Sequence, residues 1–290
     1  MEHDAGPRYG LPMKPVTPVQ HFGDQLREWR QRRRMSQLDL ALEADISTRH
    51  LSFLETGRSQ PSREMVLLLA EKLDMPLREQ NIMLAAAGFA PVYSECSLDD
   101  PALASMRQAV DLVLKGHEPF PALAIDRHWS LVAANEALLS LVEGVDPTLL
   151  KPPVNVLRLS MHPAGLARRI VNFTEWRGHL VARLHRQVDA TGDAGLAALA
   201  KELSAYPIPD AAARAPAKKQ DYAGIVVPLQ LLTGEGVLTL FSTTTIFGTP
   251  VDVTLSELAI EAFFPADSET AQILRQRAEE RQAATCSPSA

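Results

Sequence analysis

The sequence predicts a multidomain protein in which a small all-α domain precedes a larger α+β domain. Apolar residues recur with helical spacing from Phe22 to Ala87. After a linker containing prolines and acidic residues, short apolar runs bounded by turn signals alternate with helical patterns. The length of 290 residues also suits two domains. The predicted divisions are a disordered arm (1–20), an all-α domain (21–90), a linker (91–102), an α+β domain (103–282) and a tail (283–290).

Capping signals divide the first domain into five short helices. Ser36 and Asp39 form a capping box at the start of the second helix. Ser47 caps the third helix, and Gly57 suits the left-handed position that ends it. The side chains predicted to face the core, helix by helix, are Phe22, Leu26 and Trp29; Leu38, Ala41 and Leu42; Leu51 and Leu54; Met65, Val66, Leu69, Ala70 and Leu73; and Ile82, Met83 and Ala86.

The second domain combines hairpin signals with helical patterns. Thr233-Gly234-Glu235-Gly236 is a strong turn signal between two β-rich runs. The predicted elements are a helix over 103–115, strands over 122–125 and 131–134, helices over 163–185 and 194–203, strands over 225–232 and 237–246, a strand over 255–264 and a final helix over 267–281. We expect one antiparallel sheet with helices on one face, enclosing an interior suited to a small ligand.

Overall composition limits the classes of function. The formal net charge of −6 argues weakly against nucleic-acid binding. Residues 27–34, however, concentrate five arginines, which either contact phosphates or form a solvated helix face. Two cysteines are too few for a disulfide framework or a four-cysteine zinc site. No signal peptide or membrane-spanning run is visible, so the sequence predicts a soluble, cytoplasmic protein without a membrane partner.

Residues 36–55 carry the strongest functional signal, a helix-turn-helix. Ala41 is small where two helices must cross, and Asp45 lies at the turn, where a left-handed backbone is expected. The third helix would then present its polar outer face to the major groove, with Arg49 able to hold a guanine through two hydrogen bonds. An ordinary helical hairpin is the alternative. The predicted contacts to double-stranded DNA are Arg33, Gln37, Ser47, Thr48, Arg49, His50, Ser52, Phe53 and Arg58.

The stretch 22–75 resembles the XRE (Cro/phage-repressor-like) helix-turn-helix family, with Asp45 in place of the usual glycine. Residues 47–59 and 61–65 resemble one subgroup, the regulators with a C-terminal MmyB-like domain. The second half carries matching pieces at 117–119, 121–129, 133–135, 155–158, 162–163, 172, 175–176, 226–229 and 247–254. This resemblance implies a PAS-like domain that binds a small lipophilic molecule, with fatty acids as a candidate class. Helix-turn-helix proteins usually bind as dimers, so a homodimer is expected.

Polar residues among apolar ones suggest where a ligand would bind. On a continuous helix, Asn172, Trp176 and His179 would share one face. They form either a polar wall, with an arginine or histidine holding a carboxylate, or a buried network that orients helix against sheet. The spacing of His162, His179 and His185 does not support a metal site. The predicted ligand contacts are Arg158, His162, Arg169, Asn172, Trp176, His179, Phe241 and Thr243, and the predicted bound group is a lipophilic molecule rather than a cofactor.

The sequence therefore predicts a sequence-specific transcription regulator whose second domain senses a small molecule. Two alternatives remain open: the second domain only dimerises, or it is an enzyme-like PAS domain with a DNA-binding appendage. No nucleophile elbow, P-loop or dinucleotide fingerprint is present, and the hydroxyl-rich run Ser242–Thr245 has no visible base beside it. We expect no enzymatic activity on that basis.

Overall fold

The computed structural model describes residues 21–97, 100–209, 227–248 and 252–286. The chain forms two compact units that divide between Val92 and Tyr93. The arm predicted over 1–20 and most of the loop predicted over 207–220 lie outside the described residues. No helix in the described part of the chain is long and apolar enough to cross a membrane.

The first unit is the predicted five-helix domain. Three of its five helices begin after serine caps: Ser36 forms the capping box with Asp39, Ser47 Oγ accepts from the His50 amide, and Ser62 caps the fourth helix. The turn at Asp45 has a φ of 53°, the left-handed conformation predicted for it. The helices are α1 (Phe22–Arg32), α2 (Gln37–Glu43), α3 (Thr48–Glu55), α4 (Arg63–Lys72) and α5 (Leu77–Ala86).

Two predicted inward faces are wrong. In α2, Leu38 is 56% and Leu42 71% exposed, whereas Leu40 is fully buried. This seven-residue helix has apolar side chains on both faces, so periodicity could not choose between them. The face containing Leu40 and the small Ala41 packs against α3 and α4. In α5, Ile82 is likewise exposed, and Leu84 joins Met83 in the core.

The second unit is an α+β domain built on a five-stranded sheet. Its strands lie in the order β2-β1-β5-β4-β3, and every neighbouring pair is antiparallel. The helices are α6 (Ala104–Gly116), α7 (Glu136–Leu141), α8 (Val156–Met161), α9 (Phe173–Thr191), α10 (Ala194–Ala205), α11 (Val253–Ser256) and α12 (Ser268–Cys286), with short 3₁₀ turns at Pro101–Leu103 and Pro147–Leu150. The strands are β1 (Ala122–Ile125), β2 (Leu131–Ala134), β3 (Leu229–Thr233), β4 (Gly236–Ile246) and β5 (Ala259–Pro265).

Both predicted hairpins form, and β5 joins them into one sheet. β1 pairs with β2, and β3 with β4, as the turn signals indicated. The strand predicted over 255–264 begins only at Ala259, because Asp252 caps the short helix α11 through the amides of Thr254 and Leu255. At the chain end, α12 continues to Cys286, into the predicted tail, through the helix-favouring Ala283 and Ala284.

The helix predicted over 163–185 does not begin until Phe173. Residues 163–172 instead form turns and a bridge to the edge of the sheet. The Val171 amide donates to the Gln230 carbonyl, and the Leu232 amide donates to the Arg169 carbonyl. These sheet-like hydrogen bonds attach the segment to β3. Asn172 therefore occupies the N-cap of α9, so the helical face predicted for it with Trp176 and His179 is wrong.

Strand alternation divides the core of the second unit between the two faces of the sheet. On the inner face, Leu123 and Ile125 join α7, α8, α9 and α10 in the main apolar cluster. On the other face, Ala122 and Ala124 pack with Val110 and other side chains of α6. The expectation of helices on one face alone is therefore wrong, because the helix predicted over 103–115 forms as α6 but packs on the face opposite α7 to α10. The main cluster surrounds the cavity described below.

Candidate functional site: the recognition helix and an apolar cavity

The outer face of α3 is accessible over its first turn. Thr48 and Arg49 are exposed, while Leu51 and Leu54, which point into the core, are fully buried. The Arg49 guanidinium lies over the Phe53 ring, 5.3 Å from its centroid. This contact restrains a long side chain at the N-terminal end of the helix. The arrangement matches that of a helix that enters a groove with its first residues.

A buried carboxylate holds α3 against the first two helices. Glu55, whose side chain is fully buried, accepts hydrogen bonds from Arg30 Nε at 2.6 Å and from Arg30 Nη2 at 3.0 Å. It also accepts from Gln37 Nε2 at 2.8 Å, and Arg27 lies 3.5 Å away. Burial alone raises the pKa of the Glu55 carboxyl, but these hydrogen bonds and positive charges outweigh burial and lower it.

This network was not predicted from the sequence. Arg30 and Glu55 are 25 residues apart, and only the assembled helices bring them together. One signal was available, since Glu55 directly follows the inward Leu54 and an inward carboxylate needs a partner. The Gln37 side chain, predicted to contact DNA, bonds this carboxylate in the free protein.

The arginine cluster at 27–34 has mixed roles. Arg30 is buried against Glu55. Arg33 donates to the carbonyls of Leu73 at 2.7 Å and Asp74 at 2.6 Å, and so closes the C-terminal end of α4. Part of the cluster therefore stabilises the fold. Of the other residues predicted to contact DNA, Ser47 and Arg58 are exposed, and His50, Ser52 and Phe53 are half-buried.

The second unit contains an apolar cavity of about 310 Å³ between the inner face of the sheet and helices α7 to α9. Leucine and valine side chains make up most of its wall. Its few polar side chains already have partners: Trp176 Nε1 donates to Ser160 Oγ at 3.0 Å, and Trp129 Nε1 donates to Gln187 Oε1 at 2.9 Å. Such a wall suits a hydrocarbon molecule.

Glu261 is the one ionisable residue among the described residues that line the cavity. It lies on the central strand β5, and its side chain is only 8% exposed. Arg183 of α9 donates to Glu261 through Nη1 and to Thr244 Oγ1 through Nη2, at 3.1 Å for the second bond. The Arg183 guanidinium also lies 4.5 Å from the centroid of the Trp129 ring. The positive charge of Arg183 is therefore already paired with Glu261, and Arg183 itself is not a lining residue of the cavity.

Of the eight predicted ligand contacts, the structure places Trp176 in the wall. His179 lies behind it, with the two ring centroids 6.0 Å apart and nearly parallel. Burial, followed by the charges of Arg183 and Arg186, lowers the pKa of His179. On β4, Phe241 stacks on Phe264 and Thr243 is exposed, because both alternate with the inward Leu240.

The four remaining predicted contacts have structural partners. Arg158 forms a two-pronged ion pair with Glu202, at 2.7 and 2.8 Å, which lowers the pKa of Glu202 to about 2. His162 Nδ1 accepts from the Ala164 amide, and its ring meets Tyr206 edge-on.

Arg169 and Asn172 connect the turn before α9 to the sheet. Arg169 donates to the carbonyls of Leu141 and Leu232, at 2.9 and 3.2 Å. Asn172 donates to the Pro228 carbonyl and accepts from the Gln230 amide. Both side chains fit the buried-network alternative, in which polar residues orient helix against sheet.

A second, larger depression of about 910 Å³ lies between α6, the start of α7 and α12. Charged side chains line much of it, including Glu118, which pairs with Arg281 at 3.4 Å. Its polar rim suits a small lipophilic molecule less well than the cavity does. No cluster of three or more histidine, cysteine, aspartate or glutamate side chains suited to a metal occurs in the described part of the chain.

Comparison with known proteins identifies the class. Residues 26–80 match a helix-turn-helix family model, and residues 106–276 match the MmyB-like transcription regulator ligand binding domain. The protein is therefore a DNA-binding transcription regulator with a ligand-binding domain. Because the second match covers more than half of the chain, the chain belongs to the MmyB-like family. The resemblance seen in the sequence is confirmed.

No curated protein matches the chain. Among solved structures, the chain is similar to one titled "Structure of an RNA-binding Light-Oxygen-Voltage Receptor", with 13% sequence identity and a TM-score of 0.24. The match covers 92% of this chain and 65% of the other. A TM-score this low has no bearing on the fold or function of the present protein.

Proposed function

We propose that the protein binds a specific double-stranded DNA operator through α3, and that a small apolar molecule in the cavity changes the affinity for that operator. One observation supports the proposal that α3 binds DNA. Thr48 and Arg49 stand exposed on the capped first turn of α3, and Arg49 lies on the side opposite the buried Leu51 and Leu54. The second half rests on the almost purely hydrocarbon wall of the cavity.

In this proposal Arg49 reads a guanine through its O6 and N7 atoms, and Thr48 contacts a neighbouring base. Ser47 and Arg58, exposed at either end of α3, hold phosphates. Gln37 exchanges its bond to Glu55 for a phosphate, or keeps the bond and contacts DNA with the rest of its amide. These contacts would fix the register of the protein on the duplex.

The ligand in this proposal is small and lipophilic. The cavity, at about 310 Å³, is near the lower end of the range for small-molecule sites. A fatty acid remains a prediction from the family resemblance, and a cytoplasmic location remains a prediction from the sequence. The ligand would act by binding one arrangement of the regulator more tightly than another, which changes operator affinity by linkage.

Substitution of Arg49 tests the DNA-binding half. An operator can be selected from random duplex DNA with the purified protein, and its affinity measured by fluorescence anisotropy. We expect Arg49→Ala to weaken operator binding roughly 10- to 100-fold while leaving binding to random DNA nearly unchanged. Arg168→Ala, which removes the same charge from an exposed position in the second unit, is the control. An equal loss on both DNAs would show that α3 does not read the sequence.

We also propose that the regulator is a homodimer on DNA. Helix α6 exposes Leu112 and Val113, at 73% and 47%, while its opposite face covers the sheet. Adjacent apolar side chains left exposed on a helix suit contact with a second copy. Sedimentation of Leu112→Glu should show more monomer than wild type, and Leu42→Glu, equally exposed in the first unit, is the control. Identical sedimentation of wild type and Leu112→Glu would exclude this surface.

A further inference from the structure

The wall of the cavity also constrains the charge of its ligand. All described lining residues except Glu261 are non-ionisable, so the single charge at the wall is negative. The side chain of Glu261 is nearly buried and pairs with Arg183. Arg183 itself is not part of the wall. A group that enters the cavity therefore meets one carboxylate among side chains that are otherwise uncharged and mostly hydrocarbon.

The cations expected from the sequence to hold a carboxylate are engaged elsewhere. Arg158 is paired with Glu202, and Arg169 donates to two backbone carbonyls. His179 lies behind Trp176, outside the wall, and its lowered pKa favours the neutral ring at neutral pH. None of the three contributes to the lining of the cavity.

The free energy of burying a polar group in this cavity then distinguishes between the possible head groups of the ligand. An ionised carboxylate would lose its water, gain no positive partner and approach the charge of Glu261. A hydroxyl costs much less to bury and can donate a hydrogen bond to a Glu261 oxygen. Resting on the proposed function, which makes this cavity the ligand site, we propose that the cavity selects an uncharged, hydrocarbon-rich molecule with a hydrogen-bond donor, such as a medium-chain alcohol, and rejects carboxylates.

Three probes that share a ten-carbon chain test this inference on the full protein chain: 1-decanol, methyl decanoate and decanoate. Trp129 and Trp176 line the cavity and make up two of the three tryptophans in the sequence, so intrinsic fluorescence reports binding directly. At about pH 7.5 we expect decanol to bind most tightly and decanoate about tenfold or more weakly than decanol. Decanoate binding should strengthen as the pH falls toward about 5 and its carboxylate becomes protonated, while decanol binding stays constant.

Removal of the wall charge gives a second test. Glu261→Gln should strengthen decanoate binding about tenfold, because it removes the negative charge at the wall that repels a carboxylate, and should change decanol binding far less. Glu235→Gln is the matched control: it breaks another glutamate–arginine ion pair, with Arg277, away from the cavity. It should leave both affinities unchanged.

Failure of the head-group inference can be distinguished from failure of the proposed ligand site. Decanoate binding as tight as that of decanol in the wild-type protein would overturn the head-group inference and leave the cavity as the ligand site. If none of the three probes binds a protein that still binds its operator, the cavity is not the ligand site, and the inference falls with that part of the proposed function.

Discussion

At the scale of single residues, the most informative side chain of the DNA-binding unit is buried rather than exposed. The Glu55 carboxylate accepts hydrogen bonds from Arg30 of α1 and Gln37 of α2, and it forms an ion pair with Arg27 of α1. It thereby fixes the last turn of α3 relative to both helices. The exposed Arg49 and Thr48 can read bases only if α3 is held in this way.

Loss of the Glu55 charge should destabilise the first unit. Glu55→Gln leaves Arg30 buried without its carboxylate, and breaking a buried pair from one side costs about 3–5 kcal/mol. Urea denaturation monitored by circular dichroism measures the loss. The exposed Glu43→Gln, in α2, should be nearly neutral. A loss below about 1 kcal/mol for Glu55→Gln would show that the network contributes little stability.

The same residue should produce an acid-dependent loss of stability. Its pKa in the folded protein lies below the ordinary value of 4.5, which the unfolded chain retains. The carboxylate therefore stabilises the fold above that ordinary value, and this stabilisation disappears as the pH falls through the lower, folded pKa. We expect the unfolding free energy of Glu55→Gln to decline less steeply over this range than that of wild type. Parallel declines would assign the acid sensitivity to other groups.

At the scale of elements, the position of α3 depends on how closely α1 approaches its end. A Cβ on Gly23 would lie 2.5 Å from the Glu55 carbonyl oxygen and 2.7 Å from that of Leu54. Those are backbone atoms, so neither can move aside without shifting a helix. Gly23 therefore permits a contact that no other residue would allow.

Gly23→Ala should consequently destabilise the protein by about 1–3 kcal/mol, because the added methyl overpacks two backbones. Gly116→Ala is the matched control: it also lies in a helix, and a Cβ there meets nothing within 4 Å. It should be neutral or slightly stabilising. Thermal unfolding of the two variants side by side makes the comparison, and equal melting temperatures would contradict the close approach.

The elements also show what the sequence could and could not predict. The five helices, their serine caps, the turn at Asp45 and both hairpins follow local rules, and the structure contains them. The inner face of α2 was predicted wrongly, because both of its faces are apolar. The start of α9 was predicted too early, since hydrogen bonds from 169–171 to β3, some 60 residues away, override the local helical pattern.

The two candidate sites also differ in how far the sequence alone could predict them. The outer face of α3 follows from spacing within one short helix, so the sequence was sufficient to propose it. The cavity wall combines side chains from 121 to 263, and Glu261, the one ionisable residue among its described members, pairs with Arg183 across 78 positions. Polar residues among apolar ones, such as Arg169 and Asn172, therefore suggested a ligand site but proved to connect backbone segments.

At the scale of the whole molecule, a DNA-binding unit and a ligand-binding unit belong to one chain. A net charge of −6 is compatible with DNA binding because basic residues are concentrated near the N-terminal helices. Coupling requires only that the ligand distinguish between states of the regulator that differ in operator affinity. Linkage then demands the reverse effect too: operator DNA must change ligand affinity by the same factor.

The most direct test is the operator affinity of the full chain with and without saturating 1-decanol, measured by fluorescence anisotropy. We expect a change of about fivefold or more in the wild-type protein. Leu138→Trp, which adds bulk to the cavity wall, should reduce that change, whereas Leu232→Trp on β3, outside the wall, should retain it. An operator affinity that decanol leaves unchanged while filling the cavity, or that it changes equally in all three proteins, would contradict the claim that the cavity controls DNA binding.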